Sequence, residues 1–236
     1  MQRYFAIVTN NIVTLKDDDV FHLSKVMRAK INDQIEVVDQ NGKAYLAIVE
    51  SVNPLHISIV EPILKNNELP IEVILYFALA KSDKNEFVIQ KATELGASKV
   101  VLFQGQRSVV KFSKDDFNKK LPRYMSIAKE ASEQCHREKI PEILFISDLK
   151  EIVPSDLNLF AYELDAGNTS SFTSALKENN YKSLSVIIGP EGGFSEKEAD
   201  KLKELGFKNI SLGKRILRCE TAAVYALSVI SCYLEK

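Results

Sequence analysis

Two glycine-bearing stretches near the end of the chain hold the residues best suited to chemistry: Ser185-Val-Ile-Ile-Gly-Pro-Glu-Gly-Gly-Phe-Ser-Glu-Lys-Glu198 and Ser211-Leu-Gly-Lys-Arg-Ile-Leu-Arg-Cys-Glu-Thr-Ala-Ala223. In the first, the turn Gly189-Pro190-Glu191-Gly192-Gly193 has three residues without a Cβ, so a ligand can approach and pair with main-chain N–H and C=O groups. Glu191 adds a carboxylate, able to accept a proton or a ribose hydroxyl's hydrogen bond. The second stretch carries Arg218, a permanent cation with a fork of donors. Spacing argues against other chemistries. No Gly-Lys-Ser/Thr completes a Walker loop, and Gly-x-Gly-x-x-Gly is absent. His22, His56 and His136 lie outside any nucleophile-elbow sequence, and no ligand set has metal-site spacing. Cys135, Cys219 and Cys232 are odd in number and form no C-x-x-C pair, so neither a disulfide framework nor a zinc site is indicated. What remains is a glycine-lined pocket beside Glu191, Arg218 and Glu220, suited to a nucleoside-like ligand.

These residues need elements to position them. Each stretch is an apolar strand running into a turn and then a helix, and ligands in open α/β sheets bind at such carboxyl-edge turns. Ser195 and Glu198 form a capping box that starts the helix Glu196 to Leu205, and Gly206 closes it. Upstream, strands are expected at 72–79, 99–103, 158–163, 184–188 and 209–212, with helices at 84–95, 117–135 and 221–234. Near-continuous apolar strands alternating with helices predict a parallel sheet covered on both faces. Thr93-Glu-Leu-Gly96 echoes Lys203-Glu-Leu-Gly206, a glycine ending a helix before a strand in both. The last helix is apolar on nearly every face and must be buried, inside the subunit or against a second copy.

Residues 1–68 read differently. Alternating apolar residues in 34–39 and 43–50 flank Asn41-Gly42, a hairpin signal, and 55–60 supplies a third strand. Val20, Leu23, Val26 and Met27 are spaced as one helical face, with Lys25 and Arg28 pointing outward. A small β-barrel is expected, ending at the polar connector Lys65-Asn-Asn-Glu-Leu-Pro70.

Length, at 236 residues, suits one large or two ordinary domains. The apolar start is too short for a signal peptide and no apolar window reaches membrane-spanning length, so a cytoplasmic protein is expected. Net charge is −1, but between Gln104 and Pro141 nine Lys or Arg face five acids. That excess suits a phosphate-binding face or a solvated helix surface.

Ile188-Gly-Pro-Glu-Gly-Gly-Phe-Ser-Glu196 and Leu212-Gly-Lys-Arg-Ile-Leu-Arg-Cys-Glu-Thr-Ala222 together resemble the signature of the RsmE family, within the SPOUT class of S-adenosylmethionine-dependent RNA methyltransferases. Gln90-Lys-Ala-Thr-Glu-Leu-Gly96, Arg107-Ser-Val-Val110 and Ala131-Ser-Glu-Gln-Cys-His-Arg137 are similar to its other motifs, in the same order. Arg3-Tyr-Phe5 and His22-Leu-Ser-Lys-Val-Met-Arg28 resemble its PUA-like RNA-binding domain. Cys219 and Cys135 depart from the expected threonine and serine.

The resemblance implies a PUA-like β-barrel over 1–68 and, over 69–236, an α/β SPOUT domain whose parallel sheet ends in a deep trefoil knot. It also implies a homodimer and methylation of uracil N3 at one uridine in the decoding region of 16S rRNA, within the small ribosomal subunit. Donor contacts are expected from Tyr162, Glu163, Leu164 and Gly167, from Ile188, Gly189, Pro190, Glu191 and Gly192, and from Leu212, Gly213, Ile216, Leu217 and Arg218. Arg218 is the candidate for stabilising charge on the base and Glu191 a candidate general base. RNA contacts are expected at Arg3, Lys25, Arg28, Lys84, Arg107, Arg137 and Lys139; no metal is expected. The alternatives are an RNA-binding assembly factor without catalysis, or a SPOUT enzyme acting on tRNA.

Overall fold

The computed structural model describes residues 1–162, 170–177 and 180–235, leaving aside the side chains of Ser82 and Ser170. Contacts group into two compact units: Met1–Glu68 with Ser132–Lys139, and Leu69–Ala131 with Ile140–Lys236.

The first unit is built on strands β1 (Arg3–Phe5), β2 (Ile7–Thr9), β3 (Ile12–Thr14), β4 (Gln34–Val38), β5 (Ala44–Val52) and β6 (Leu55–Pro62). They pair in the order β1-β4-β5-β6-β3-β2. The two edge strands, β1 and β2, are separated in sequence by Ala6 alone. A flat sheet of this width would hold its edges roughly 24 Å apart, which one residue cannot span, so the sheet curls into a barrel around Tyr4, Leu23, Val37 and Val49. At the expected hairpin, the Asp39 carboxylate accepts from the backbone N–H groups of Asn41 and Lys43 at 2.8 and 2.9 Å. Gly42 takes the left-handed φ of +75° that the turn requires.

One expectation fails beside this barrel. The face of Val20, Leu23, Val26 and Met27 does not form, because α1 (Asp17–Phe21) passes at once into a π-helical turn, His22–Val26. Met27 N–H donates to the His22 carbonyl at 2.9 Å, an i to i−5 bond that shifts the following side chains off the 3.6-residue register. Leu23 stays buried while Val26 and Met27 stand exposed.

In the second unit the strands are β7 (Glu72–Ala78), β8 (Lys99–Phe103), β9 (Glu142–Ile146), β10 (Leu157–Ala161), β11 (Ser170–Ser171), β12 (Ser183–Ile188) and β13 (Lys208–Ser211). All pairings are parallel, in the order β11-β13-β10-β12-β7-β8-β9. The helices are α2 (Ser82–Glu94), α3 (Lys114–Gln134), α4 (Phe172–Leu176), α5 (Glu196–Glu204) and α6 (Cys219–Leu234). Residues of α2, α3, α4 and α6 share a core with one sheet face. Ala199 and Leu202 of α5 join Phe103, Phe160 and Phe194 on the other. The expected α/β sheet covered on both faces is therefore present; β9, β11 and α4 escaped the sequence reading.

The two Glu-Leu-Gly echoes close their helices in the same way. Gly96 and Gly206 have φ of +86° and +82°. The next residues, Ala97 and Phe207, donate back to the carbonyls of Ala92 and Leu202, both at 2.9 Å. These are Schellman closures, and glycine is favoured there because a Cβ disfavours positive φ.

Candidate functional site

Because the sheet is wholly parallel, β7, β8, β10, β12 and β13 all end at one edge, and the segments leaving them carry the expected site. From β12 the chain enters the Gly189–Gly193 turn, closed by Gly193 N–H donating to the Pro190 carbonyl at 2.8 Å. Ile188 is buried at the strand end. Gly189 sits over the Phe194 ring, where a Cβ would lie 3.1 Å from a ring carbon. That ring has little freedom to yield, being fully buried, stacked on Phe103 and edge-on to Phe160. Gly192 faces Arg107, and a Cβ would come within 3.0 Å of the Arg107 Cβ. Arg107 Nη1 donates to the Gly192 carbonyl at 3.0 Å, so the β8 exit grips the turn from outside.

Two asparagines that the sequence reading did not single out, Asn209 and Asn85, and the capping-box Glu198 shape these exits. Asn209 accepts from Tyr162 N–H at 3.0 Å and donates to the Tyr162 carbonyl at 3.1 Å, pinning the chain as it leaves β10. Asn85 does the same to Ala80 after β7, at 3.1 and 2.9 Å. Glu198 accepts from Ser195 within the predicted capping box and from Gln106 N–H at 2.8 Å. The two asparagines bury an amide whose donor and acceptor match those of a peptide group. Only the pairing of β10 with β13 or the return of α2 onto β7 makes those partners visible.

The second stretch, Leu212 to Arg218, leaves β13, bends at Lys214 and Arg215, and runs into α6. Gly213 has φ of +108° and, like Gly193 at +67°, open space where a Cβ would be. Ile216 is 84% exposed, an uncompensated apolar side chain at this edge. Arg218 is exposed as the N-cap of α6, its side chain making no capping bond. Glu191 and Glu220 meet at one cation: Lys84 Nζ lies 3.1 Å from an oxygen of each. Beside them Cys219 is buried, and burial together with the Glu220 carboxylate and nearby Glu191 pushes its thiol up to about 12. Glu163, Leu164 and Gly167 lie outside the described residues.

The expected RNA contacts divide. Arg3 is 2% exposed, its guanidinium held by Glu36 at 2.8 Å, by Glu138 at 3.0 Å and by the His136 carbonyl at 2.6 Å. Arg137 is likewise 2% exposed and paired with Glu68 at 2.6 Å. Both are corrected: a buried, neutralised guanidinium within the first unit does not reach a phosphate, since uncovering it would strand its carboxylates. Lys84, partly exposed in the second unit, is corrected on a different ground: its ammonium is already committed to the Glu191 and Glu220 carboxylates. Lys25, Arg28, Arg107 and Lys139 remain exposed. Around Lys25 and Arg28, Phe21, Val26, Met27 and Ile31 are each at least half-exposed, an apolar surface edged with cations.

Among the described residues, no group of three or more His, Cys, Asp or Glu is arranged to hold a metal ion, and no helix is long and apolar enough to cross a membrane. A family model described as an RNA methyltransferase domain matches residues 67–231, and one described as an RNA methyltransferase PUA domain matches residues 15–61. The ribosomal RNA small subunit methyltransferase E of Bacillus subtilis is 37% identical over 100% of this chain and 98% of its own. That of Mesomycoplasma hyopneumoniae is 35% identical over 96% and 94%. The crystal structure of the Neisseria gonorrhoeae ribosomal RNA small subunit methyltransferase E bound to S-adenosyl methionine superposes with a TM-score of 0.85 at 27% identity, covering 99% of this chain and 98% of that one. On its motifs, its parallel sheet and these matches, the chain belongs to the ribosomal RNA small subunit methyltransferase E family of RNA methyltransferases.

Proposed function

We propose that this protein transfers a methyl group from S-adenosylmethionine to N3 of one uracil in the decoding region of 16S rRNA. The observation that carries the reading is the delivery of the Tyr162 exit, the Gly189–Gly193 turn and the Leu212–Arg218 segment to one edge of the sheet in a chain of this family. The donor's adenosine is neutral and rich in hydrogen-bonding edges, which suits main-chain groups laid open at Gly193 and Gly213 and the pinned Tyr162 peptide. Ile188, Pro190 and Leu217 are the apolar residues proposed to line its base. When bound, the donor supplies an electrophilic methyl group.

The protein's own residues have the other half of the problem. Uracil N3 carries a proton at neutral pH and has to lose it as the new bond forms. Arg218 is proposed to hold the negative charge that spreads onto a uracil carbonyl oxygen, its exposed fork being free for that contact. Glu191 is the proposed acceptor of the N3 proton. Lys25, Arg28, Arg107 and Lys139 are proposed to contact phosphates, with Phe21, Val26 and Met27 offering apolar surface to unstacked bases.

The same reading includes a trefoil knot at the β10 to β13 region, supported by the placement of β10 between β12 and β13. It includes a homodimer, supported by Thr221, Tyr225, Ser228 and Cys232, which leave one stripe of the otherwise apolar α6 exposed. An rRNA substrate in the small subunit puts its work in the cytoplasm. Nucleoside mass mapping of 16S rRNA from a strain lacking this gene tests the proposal: N3-methyluridine disappears and returns with the cloned gene. Its persistence overturns the assignment.

A further inference from the structure

We propose that Lys84 is a positioning residue that locks the donor-binding turn to the first turn of α6; the proposal rests on the donor reading above. Lys84 stands in the first turn of α2, and its ammonium bridges Glu191 of the Gly189–Gly193 turn and Glu220 of α6, at 3.1 Å to each. Glu220 lies two residues after Arg218, so one side chain ties together the two stretches from which the site is built.

The surroundings fit a charged tie. Two further contacts join Lys84 at Glu220: burial pushes its carboxyl up, but its own backbone N–H, the Cys219 thiol and Lys84 outweigh burial and hold it below the usual range. Burial pulls the Lys84 ammonium down, and the hydrogen bonds to Glu191 and Glu220 more than reverse that. On its other side the turn is held by Arg107 through the Gly192 carbonyl. Arg107 fixes the backbone, whereas Lys84 fixes the turn through Glu191, the turn's own side chain proposed to act on the substrate.

Removing the ammonium does more than delete two bonds. Glu191 and Glu220 are then left facing each other with like charge, so the turn is pushed away from α6. Lys84 and its partners are all partly exposed, which keeps the contribution to global stability small. Position and stability can therefore be separated by experiment.

The test compares Lys84→Met, Lys84→Arg, Glu220→Gln and the double variant Lys84→Met/Glu220→Gln in the full chain. S-adenosylmethionine affinity is read by calorimetry, and exchange of the Gly192 and Gly193 amides by NMR without ligand. Lys84→Met is expected to weaken donor binding about tenfold and to speed exchange in the turn by a similar factor, with melting nearly unchanged. Glu220→Gln in that background removes the repulsion and recovers part of both losses, and Lys84→Arg recovers most. A double variant no better than Lys84→Met, or a Lys84→Met protein within twofold of wild type in both measurements, overturns the proposal. If wild type binds no S-adenosylmethionine, the donor reading falls, and the ligand-free amide exchange still decides the role of Lys84.

Discussion

Replacement of Arg218 by alanine separates catalysis from folding most cleanly. The Arg218 backbone sits at φ −64°, ψ 151°, an extended conformation alanine also adopts, and its side chain makes no capping bond. Its carbonyl accepts from Ala222 N–H at 2.8 Å, and that bond survives any side-chain change. An exposed residue with no partner to strand costs within about 0.5 kcal/mol on truncation, a melting shift of roughly 1–2 °C for a chain of this size. If its fork holds charge on the uracil carbonyl, the loss in kcat is about 100- to 1,000-fold, or roughly 3–4 kcal/mol of transition-state stabilisation. Lysine keeps the charge without the planar fork, so Arg218→Lys falls between wild type and alanine. Single-turnover transfer of labelled methyl groups to small ribosomal subunits from the deletion strain measures the rate, with calorimetry for the donor and a thermal melt alongside. Arg218→Ala retaining more than a third of the wild-type rate would refute the role. A rate loss matched by a fall of many degrees in melting would reassign Arg218 to structure.

Other consequences follow from the same geometry. Gly96→Ala forces a side chain onto φ +86° and puts its Cβ 2.7 Å from the Leu69 side chain. The cost is about 2–4 kcal/mol, seen as a melting temperature lower by roughly 5–15 °C; an unchanged melt would contradict the closure described. Lys25→Glu with Arg28→Glu should weaken binding to small subunits and flatten its salt dependence while leaving S-adenosylmethionine affinity within twofold. Equal binding at low salt counts against that surface. Iodoacetamide at pH 8 should label Cys219 far more slowly in the native protein than after unfolding in urea, because it is buried and its thiol is pushed up to about 12. A folded-state value raised above the ordinary 9.0 gives stability that is complete below pH 9 and is lost as pH climbs toward 12, so Cys219→Ser should flatten the alkaline limb of a melting curve measured against pH.

Much of the site was legible because it depends on local rules. A glycine turn after an apolar strand, the Ser195 and Glu198 box, and the two Glu-Leu-Gly closures each involve residues within five positions of one another, and each appears as read. The π turn at His22–Val26 was not legible, because the 3.6-residue spacing of Val20, Leu23, Val26 and Met27 is equally consistent with a regular helix. Nor was the burial of Arg3, whose partner Glu138 is 135 residues away. In a sequence, an arginine that meets phosphate and one that meets a buried carboxylate look alike.

By itself the sequence determined the strand and helix alternation, the glycine-bearing turn at Gly189–Gly193, and the presence of Arg218 shortly before a helix. Backbone freedom, capping and periodicity act over a few residues, and residue types suffice to state them. Only the tertiary structure decided which charges are spent. It brings Ser132–Lys139 into the first unit and there consumes Arg3 and Arg137, and it carries Lys84 to Glu191 and Glu220. A charge acquires its role from the partner it meets, and those partners are set by how the chain crosses the sheet and returns.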